Sequence, residues 1–285
     1  MYKITTKIKN KTITWIFGYE WDFNTYTKYI LPYTGILYEI VETDIPDFIV
    51  SVYQDFYEEL PCRQLIFKVS GEYGERLHKL PNCYQFVNNP KPEDDLTWTK
   101  YSWGFNQWSG PHLMPKTKKI SVVDSGKWEH RKEKIKELGK IVGGIDIYGN
   151  LNNMLLTGYH QPGINEKYKG IEEYAFYFSM EHSIANDYLT EKIVDAIMCE
   201  AVPIYIGAPN IDQYMIKGSY INYEDVEKID WSNWQSEYQK YRQSIIKQKE
   251  IFLTKLNVFS YFDYLTDNLY LLSKIRPITL ENIKN

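Results

Sequence analysis

The chain has 285 residues, 44% hydrophobic and 25% charged, proportions of a folded protein rather than a disordered one. A net charge of −4 gives no basic field that would draw it to nucleic acid, although a local phosphate pocket is compatible with it. This length exceeds what one hydrophobic core usually serves, so two domains are expected.

Short apolar runs rich in β-branched residues predict strands over Thr12–Phe17, Gly35–Ile40, Phe48–Val52 and Leu65–Val69 in the first half. In the second half the same signal covers Lys119–Val123, Gly144–Tyr148, Ala175–Ser179 and Val202–Ile206. Helical patterns fall between or after them at Trp128–Lys140, Glu191–Glu200 and Trp234–Lys255. Strands alternating with helices predict an α/β protein with parallel sheets and helical cover. From Asn88 to Lys118 the rhythm breaks: Pro90, Pro92, Gly104, Gly110, Pro111 and Pro115 punctuate a stretch without period. The expected division is therefore 1–115 and 116–285, with a final helix free to pack back on the first half. Open α/β sheets bind ligands beyond the carboxyl ends of their strands, so two such halves facing each other enclose a cleft.

The three cysteines, Cys62, Cys83 and Cys199, form no CxxC pair and no even set, which suits a reducing compartment. Met1–Lys7 is basic without the apolar stretch of a signal peptide, and no run approaches the roughly 18 apolar residues of a spanning helix. A cytoplasmic protein with at most peripheral membrane contact is expected. No two aspartates lie two apart, and the five histidines show no ligand spacing, so neither a metal nor another cofactor is called for.

The chemistry concentrates between Tyr174 and Gly207. A buried strand runs into the polar loop Glu181-His182-Ser183, and Thr190 stands where a helix N-cap belongs. Ile193, Val194, Ile197 and Met198 make one apolar face of the helix that follows. Lys192 then lies on the first turn, where free backbone N–H groups and the helix dipole favour an anion. The next strand ends at Gly207, where a small residue admits a ligand to the backbone. A surface Glu-Lys pair on an ordinary strand–loop–helix is the plain alternative.

Tyr174, Phe176, Glu181, Ser183, Tyr188, Thr190, Glu191, Lys192, Ala201, Val202, Pro203 and Gly207 match in order the donor-binding signature of family 10 fucosyltransferases. The resemblance departs at His182, where that family has Asn, and at Glu200, where it commonly has Gly. Ser125–Lys132 resembles the family segment ending in a phosphate-binding arginine, here Arg131, or is a solvated basic helix face. Ser70-Gly71-Glu72-Tyr73 falls where the family has Gly-Glu-Asn, with Glu72 in the place of its proposed base and Glu75 the rival.

The resemblance implies a GT-B fold and an inverting transfer of L-fucose from GDP-fucose to a glycan hydroxyl, with an alpha-1,3-type linkage. Glu72 and Glu191 would be catalytic. Arg131, Glu181, His182, Tyr188, Glu191 and Lys192 would bind the donor. A nucleotide-sugar-binding or lectin-like protein without turnover, or a GT-B transferase using another GDP-sugar, stays open. Trp98, Tyr101, Trp103, Phe105 and Trp108 fit either an acceptor platform or inter-domain core. The basic stretch Tyr238–Lys255 fits either a membrane surface or a helix packed on the second half. Gly-x-Gly-x-x-Gly and Gly-Lys-Ser/Thr are both missing, which argues against a dehydrogenase and a P-loop NTPase.

Overall fold

The computed structural model describes residues 2–18, 20–52, 61, 63, 65–73, 83–88, 114–149, 166–186 and 188–269. It is a mixed α/β structure with two sheets. The strands are β1 (Tyr2–Ile8), β2 (Lys11–Phe17), β3 (Glu39–Ile40), β4 (Phe48–Val52), β5 (Leu65–Tyr73), β6 (Cys83–Asn88), β7 (Lys118–Asp124), β8 (Asp146–Gly149), β9 (Tyr174–Met180), β10 (Val202–Ile206) and β11 (Ile221–Asn222). The helices are α1 (Glu20–Asn24), α2 (Glu129–Val142), α3 (Glu166–Lys169), α4 (Glu191–Met198), α5 (Trp234–Thr254) and α6 (Val258–Asp267).

The first sheet runs β3-β1-β2-β4-β5-β6, with β2, β4, β5 and β6 parallel. Its antiparallel edge is a hairpin that the sequence reading did not anticipate. Ile8 pairs with Lys11, so Lys9 and Asn10 make the turn, and Lys9 takes the positive φ of 57° that such a tight connection demands. Tyr2–Ile8 mixes polar and apolar residues because it lies toward the sheet edge; inside it, Thr6 is buried and accepts the Trp15 indole N–H at 2.8 Å. Gly35–Ile40 forms a strand only at its last two residues.

The second sheet is entirely parallel, in the order β11-β10-β9-β7-β8. β9 is buried along its whole length, as expected of a continuous apolar run in a parallel sheet. The chain leaves β7 toward β8 on one side and returns to lay β9 on the other. The strand order therefore reverses between β7 and β9, and a crevice opens beyond their carboxyl ends.

α5 packs on α4, β9 and β10 through buried Tyr238, Ile245 and Phe252, so the basic stretch is a structural helix of this half. The chain then turns at Asn257, whose Oδ1 caps the next helix by accepting the Ser260 N–H at 3.0 Å. α6 lies on the first sheet: Phe259 meets Trp15 edge-on at 4.6 Å between centroids, and Phe262 meets Phe67 at 5.2 Å. Lys11 ties its far end to Asp263 and Asp267 at 2.8 and 2.7 Å. Residues 89–113, with the aromatic cluster Trp98–Trp108, lie outside the described residues, as do Cys62 and Glu75.

Phe259 is fully buried at this contact, and truncating such a ring typically costs about 3–5 kcal/mol. Phe259→Ala should lose that much in urea denaturation, whereas Ile246→Ala, on the exposed side of α5, should change by less than about 0.5 kcal/mol. Equal effects of the two substitutions would contradict the docking of α6.

Candidate functional site

A cleft of about 410 Å³ opens at the switch point. Lys127 and Trp128 come from the loop after β7; His182, Tyr188, Thr190, Glu191 and Lys192 come from the loop after β9 and the first turn of α4. Topology and sequence motif thus converge on one place.

Glu181 organises it from beneath. Its carboxylate is buried, accepting the Thr190 backbone N–H at 2.8 Å on Oε1 and the Thr190 hydroxyl at 2.6 Å on Oε2. Both oxygens act as acceptors, which suits the ionised form even though burial pushes this carboxyl above its ordinary value. With its proton committed to Glu181, the Thr190 oxygen turns its lone pairs to α4. It accepts from the Lys192 N–H at 3.4 Å, the expected N-cap, and from Lys192 Nζ at 3.0 Å. Lys192 Nζ also lies 3.4 Å from Glu181 and 3.6 Å from Glu191. Burial opposes its charge, but the two carboxylates outweigh that and hold its pKa above the usual lysine value.

Glu191 has a second cation within reach. Lys167 Nζ, on α3, is 3.8 Å from Glu191 and 2.6 Å from Asp195. Burial works against the Glu191 charge, yet Lys192 and Lys167 prevail and hold its carboxyl down to about 2. Asp195, fully buried, is pushed up to about 6 by that burial despite Lys167.

Of the proposed donor residues, His182, Tyr188, Glu191 and Lys192 line the cleft. His182 is exposed and its ring lies 4.7 Å from that of Trp128, across the cleft mouth. Glu181 does not face the opening; it acts through Thr190 and Lys192. Arg131 does not line the cleft either. It sits behind, 9% exposed, with Nη2 2.9 Å from Asp124 Oδ2, while its buried Nε has no hydrogen-bond partner among the described residues. Asp124 also accepts the Gly126 N–H at 2.8 Å, so one carboxylate shapes the loop that presents Lys127 and Trp128.

At Gly207 a Cβ would meet the Tyr205 hydroxyl at 2.1 Å and Glu181 Cγ at 2.6 Å, so the missing side chain makes room for packing; the residue also lines a neighbouring cleft with Tyr205, Ala208 and Pro209. Glu200, in the position where the family commonly has glycine, takes the left-handed φ of 58° that glycine adopts freely. Lys249 pairs with its carboxylate at 3.1 Å and Tyr238 donates to its carbonyl at 3.0 Å, holding that conformation. Glu72 is the penultimate residue of β5, where the pairing with β6 shifts register between Val69 and Tyr73; only its backbone is described. Among the described residues no three His, Cys, Asp or Glu side chains are grouped to hold a metal ion. No helix there is long and apolar enough to cross a membrane.

Residues 113–233 match the family model for glycosyltransferase family 10 (fucosyltransferase), C-terminal part. This segment, less than half of the chain, is similar to family 10. A 4-galactosyl-N-acetylglucosaminide 3-alpha-L-fucosyltransferase 9 of Cricetulus griseus is 28% identical over 155 residues, 50% of this chain and 38% of that protein. The Homo sapiens protein of the same name is 34% identical over 84 residues, 29% of this chain and 22% of its own length. A fucosyltransferase-like protein of Arabidopsis thaliana is 23% identical over 152 residues, covering 52% and 28%. The chain thus spans well under half the length of these relatives. Among solved structures, an alpha1,3-fucosyltransferase with GDP aligns over 82% of this chain and 80% of its own, at 14% identity and a TM-score of 0.45. One with GDP-fucose aligns over 73% and 68%, at 16% identity and a TM-score of 0.42.

The resemblance to the family 10 signature was legible in sequence, and Lys127 and Trp128 fell within the Ser125–Lys132 segment without a role of their own; Lys167 and Asp195 were not singled out. Lys167 and Asp195 reach the site from α3 and the second turn of α4, and only their pairing in space, with Asp195 fully buried, marks them.

Glu191 gives the site a pH signature. Its folded-state pKa lies below the ordinary 4.5, so it contributes stability above that pH which is lost as pH falls toward 2, about 3 kcal/mol at most. In chemical denaturation between about pH 3 and 6, Glu191→Gln should show a shallower acid decline than the unsubstituted chain. Parallel curves would contradict the charge clamp on Glu191.

Proposed function

We propose that this chain is an inverting fucosyltransferase that moves L-fucose from GDP-fucose to a hydroxyl of an oligosaccharide or other glycan, with an alpha-1,3-type linkage. The observation that carries the reading is the cleft at the β7/β9 switch point, inside the family 10 segment, with Lys192 and Glu191 on the first turn of α4. A nucleoside diphosphate leaves as a growing anion, and free N–H groups of α4 with Lys192 and Lys127 meet that charge. Glu191, held ionised, accepts sugar hydroxyls and favours a transition state with positive charge on the fucose ring. The acceptor hydroxyl loses its proton as it attacks, and Glu72, at the carboxyl end of a parallel strand, is the proposed base.

Also part of the proposal are a division near residues 115 and 116, halves facing as in GT-B enzymes, and a cytoplasmic, reducing setting. The last rests on the cysteine pattern and the buried Cys199 thiol. Turnover is proposed to need no metal, a reading that rests on the sequence, in which no two aspartates lie two apart.

A thermal-shift panel of nucleotide-sugars tests the donor, with GDP-fucose and GDP expected to stabilise the fold and UDP-sugars not. Ligand at 100 times its dissociation constant adds about 2.7 kcal/mol. Mass spectrometry of glycan acceptors, repeated in excess EDTA, then reads transfer. Glu72→Gln should cut turnover by about 10²–10⁴ with donor affinity within a few-fold. A larger shift with a UDP-sugar contradicts the donor; binding without transfer favours the lectin-like reading; and loss of activity in Glu75→Gln alone moves the base.

A further inference from the structure

Glu191 stands between two ammonium groups, and one of them belongs to no motif of the signature. Lys167 comes from α3, a helix of four residues, and its side chain is only 12% exposed. Its Nζ lies 2.6 Å from Asp195 Oδ2 and 3.8 Å from Glu191 Oε1. Asp195 is one turn along α4 from Glu191, on the same face, and its other oxygen accepts the Tyr168 hydroxyl at 2.8 Å. Lys167 itself does not line the cleft. A cation this deep is tolerated only when well paired, and here the pairing spans two elements, tying α3 to the turn that faces the cleft.

We propose that Lys167 is a positioning residue for the transfer centre: by clamping Asp195 and reaching Glu191, it fixes the first turn of α4 and keeps Glu191 an anion toward the donor. The role of that anion rests on the function proposed above; the clamp itself does not. The charged and titratable groups around Glu191 are Lys192 and Asp195 on its own helix, Lys167 and Tyr168 at α3, Glu181 after β9, and Tyr177 of β9 beside Lys167. Without Lys167, Glu191 would face two carboxylates with Lys192 as its counter-charge, and it would take up a proton at higher pH.

Carbon-13 NMR of protein labelled at the glutamate δ-carboxyl reads this directly without donor, with the Glu191 signal assigned by its loss in Glu191→Gln. In the unsubstituted chain Glu191 should not titrate above about pH 4; in Lys167→Met its midpoint should rise by at least about one unit, and Lys167→Arg should restore it. GDP-fucose affinity by calorimetry should fall about tenfold in Lys167→Met, whose α4 first turn is no longer clamped, and stay within about threefold in Lys167→Arg. If Lys167→Met does not fold, Lys167→Met with Asp195→Asn, compared with Asp195→Asn alone, isolates the same effect. A Glu191 that stays ionised without Lys167, or that titrates equally in the Met and Arg variants, overturns the proposal. No GDP-fucose binding by the unsubstituted chain sinks the functional reading, and the NMR titration still decides the clamp.

Discussion

The bidentate grip of the Glu181 carboxylate on Thr190 is the interaction on which the site depends. One oxygen takes the backbone N–H and the other the hydroxyl, so Thr190 has a single orientation and its oxygen must face α4. That orientation caps the helix and seats the Lys192 ammonium above it. Gly207 belongs to the same device, because any side chain there would push into Glu181 and Tyr205. A hydrogen bond to a charged group is typically worth about 1.5–3 kcal/mol, and a buried carboxylate left without its donors stays desolvated. The strand β9 delivers Glu181 and the helix α4 delivers Lys192; the carboxylate joins them.

The charges around the cleft explain a division of labour. Lys167 and Lys192 face Glu181, Glu191 and Asp195, so the inner cluster carries no positive surplus. Arg131, offered by sequence as a phosphate ligand, is spent on Asp124 at the back of the loop. Lys127 lines the cleft, and no carboxylate pairs with it among the described residues; its ammonium lies 5.5 Å from the centre of the Trp128 ring. An incoming diphosphate would therefore meet Lys127 and the N–H groups of α4 first, with Lys192 held in place by its neighbours rather than free to swing.

Much of this was legible in the sequence for identifiable reasons. Phe48–Val52 and Val202–Ile206 form strands with the bounds their composition predicts, because a buried parallel strand needs a short unbroken apolar run. Thr190 as cap and the buried face of Ile193, Val194, Ile197 and Met198 came from side-chain chemistry and helical period. What period and composition could not supply was partnership across distance. β1 is too polar to read as a strand until β2 pairs with it, β6 needs β5 beside it, and α6 shows its purpose only against Trp15 and Phe67. Lys167 and Asp195 are ordinary charged residues in sequence and a buried ion pair in space. Arg131 and Gly207 show the same limit: sequence could not foresee that Asp124 would pair with the one, or that Tyr205 and Glu181 would crowd the other.

In the proposed function the first turn of α4, with Lys192 fixed upon it, receives the diphosphate of a nucleotide-sugar. Calorimetric titration of GDP into Lys192→Met, checked by circular dichroism for an intact fold, tests it most directly. A charge-assisted hydrogen bond is worth about 1.5–3 kcal/mol, so GDP affinity should fall by about ten- to a hundredfold. Undiminished GDP affinity in a folded Lys192→Met chain would contradict the claim.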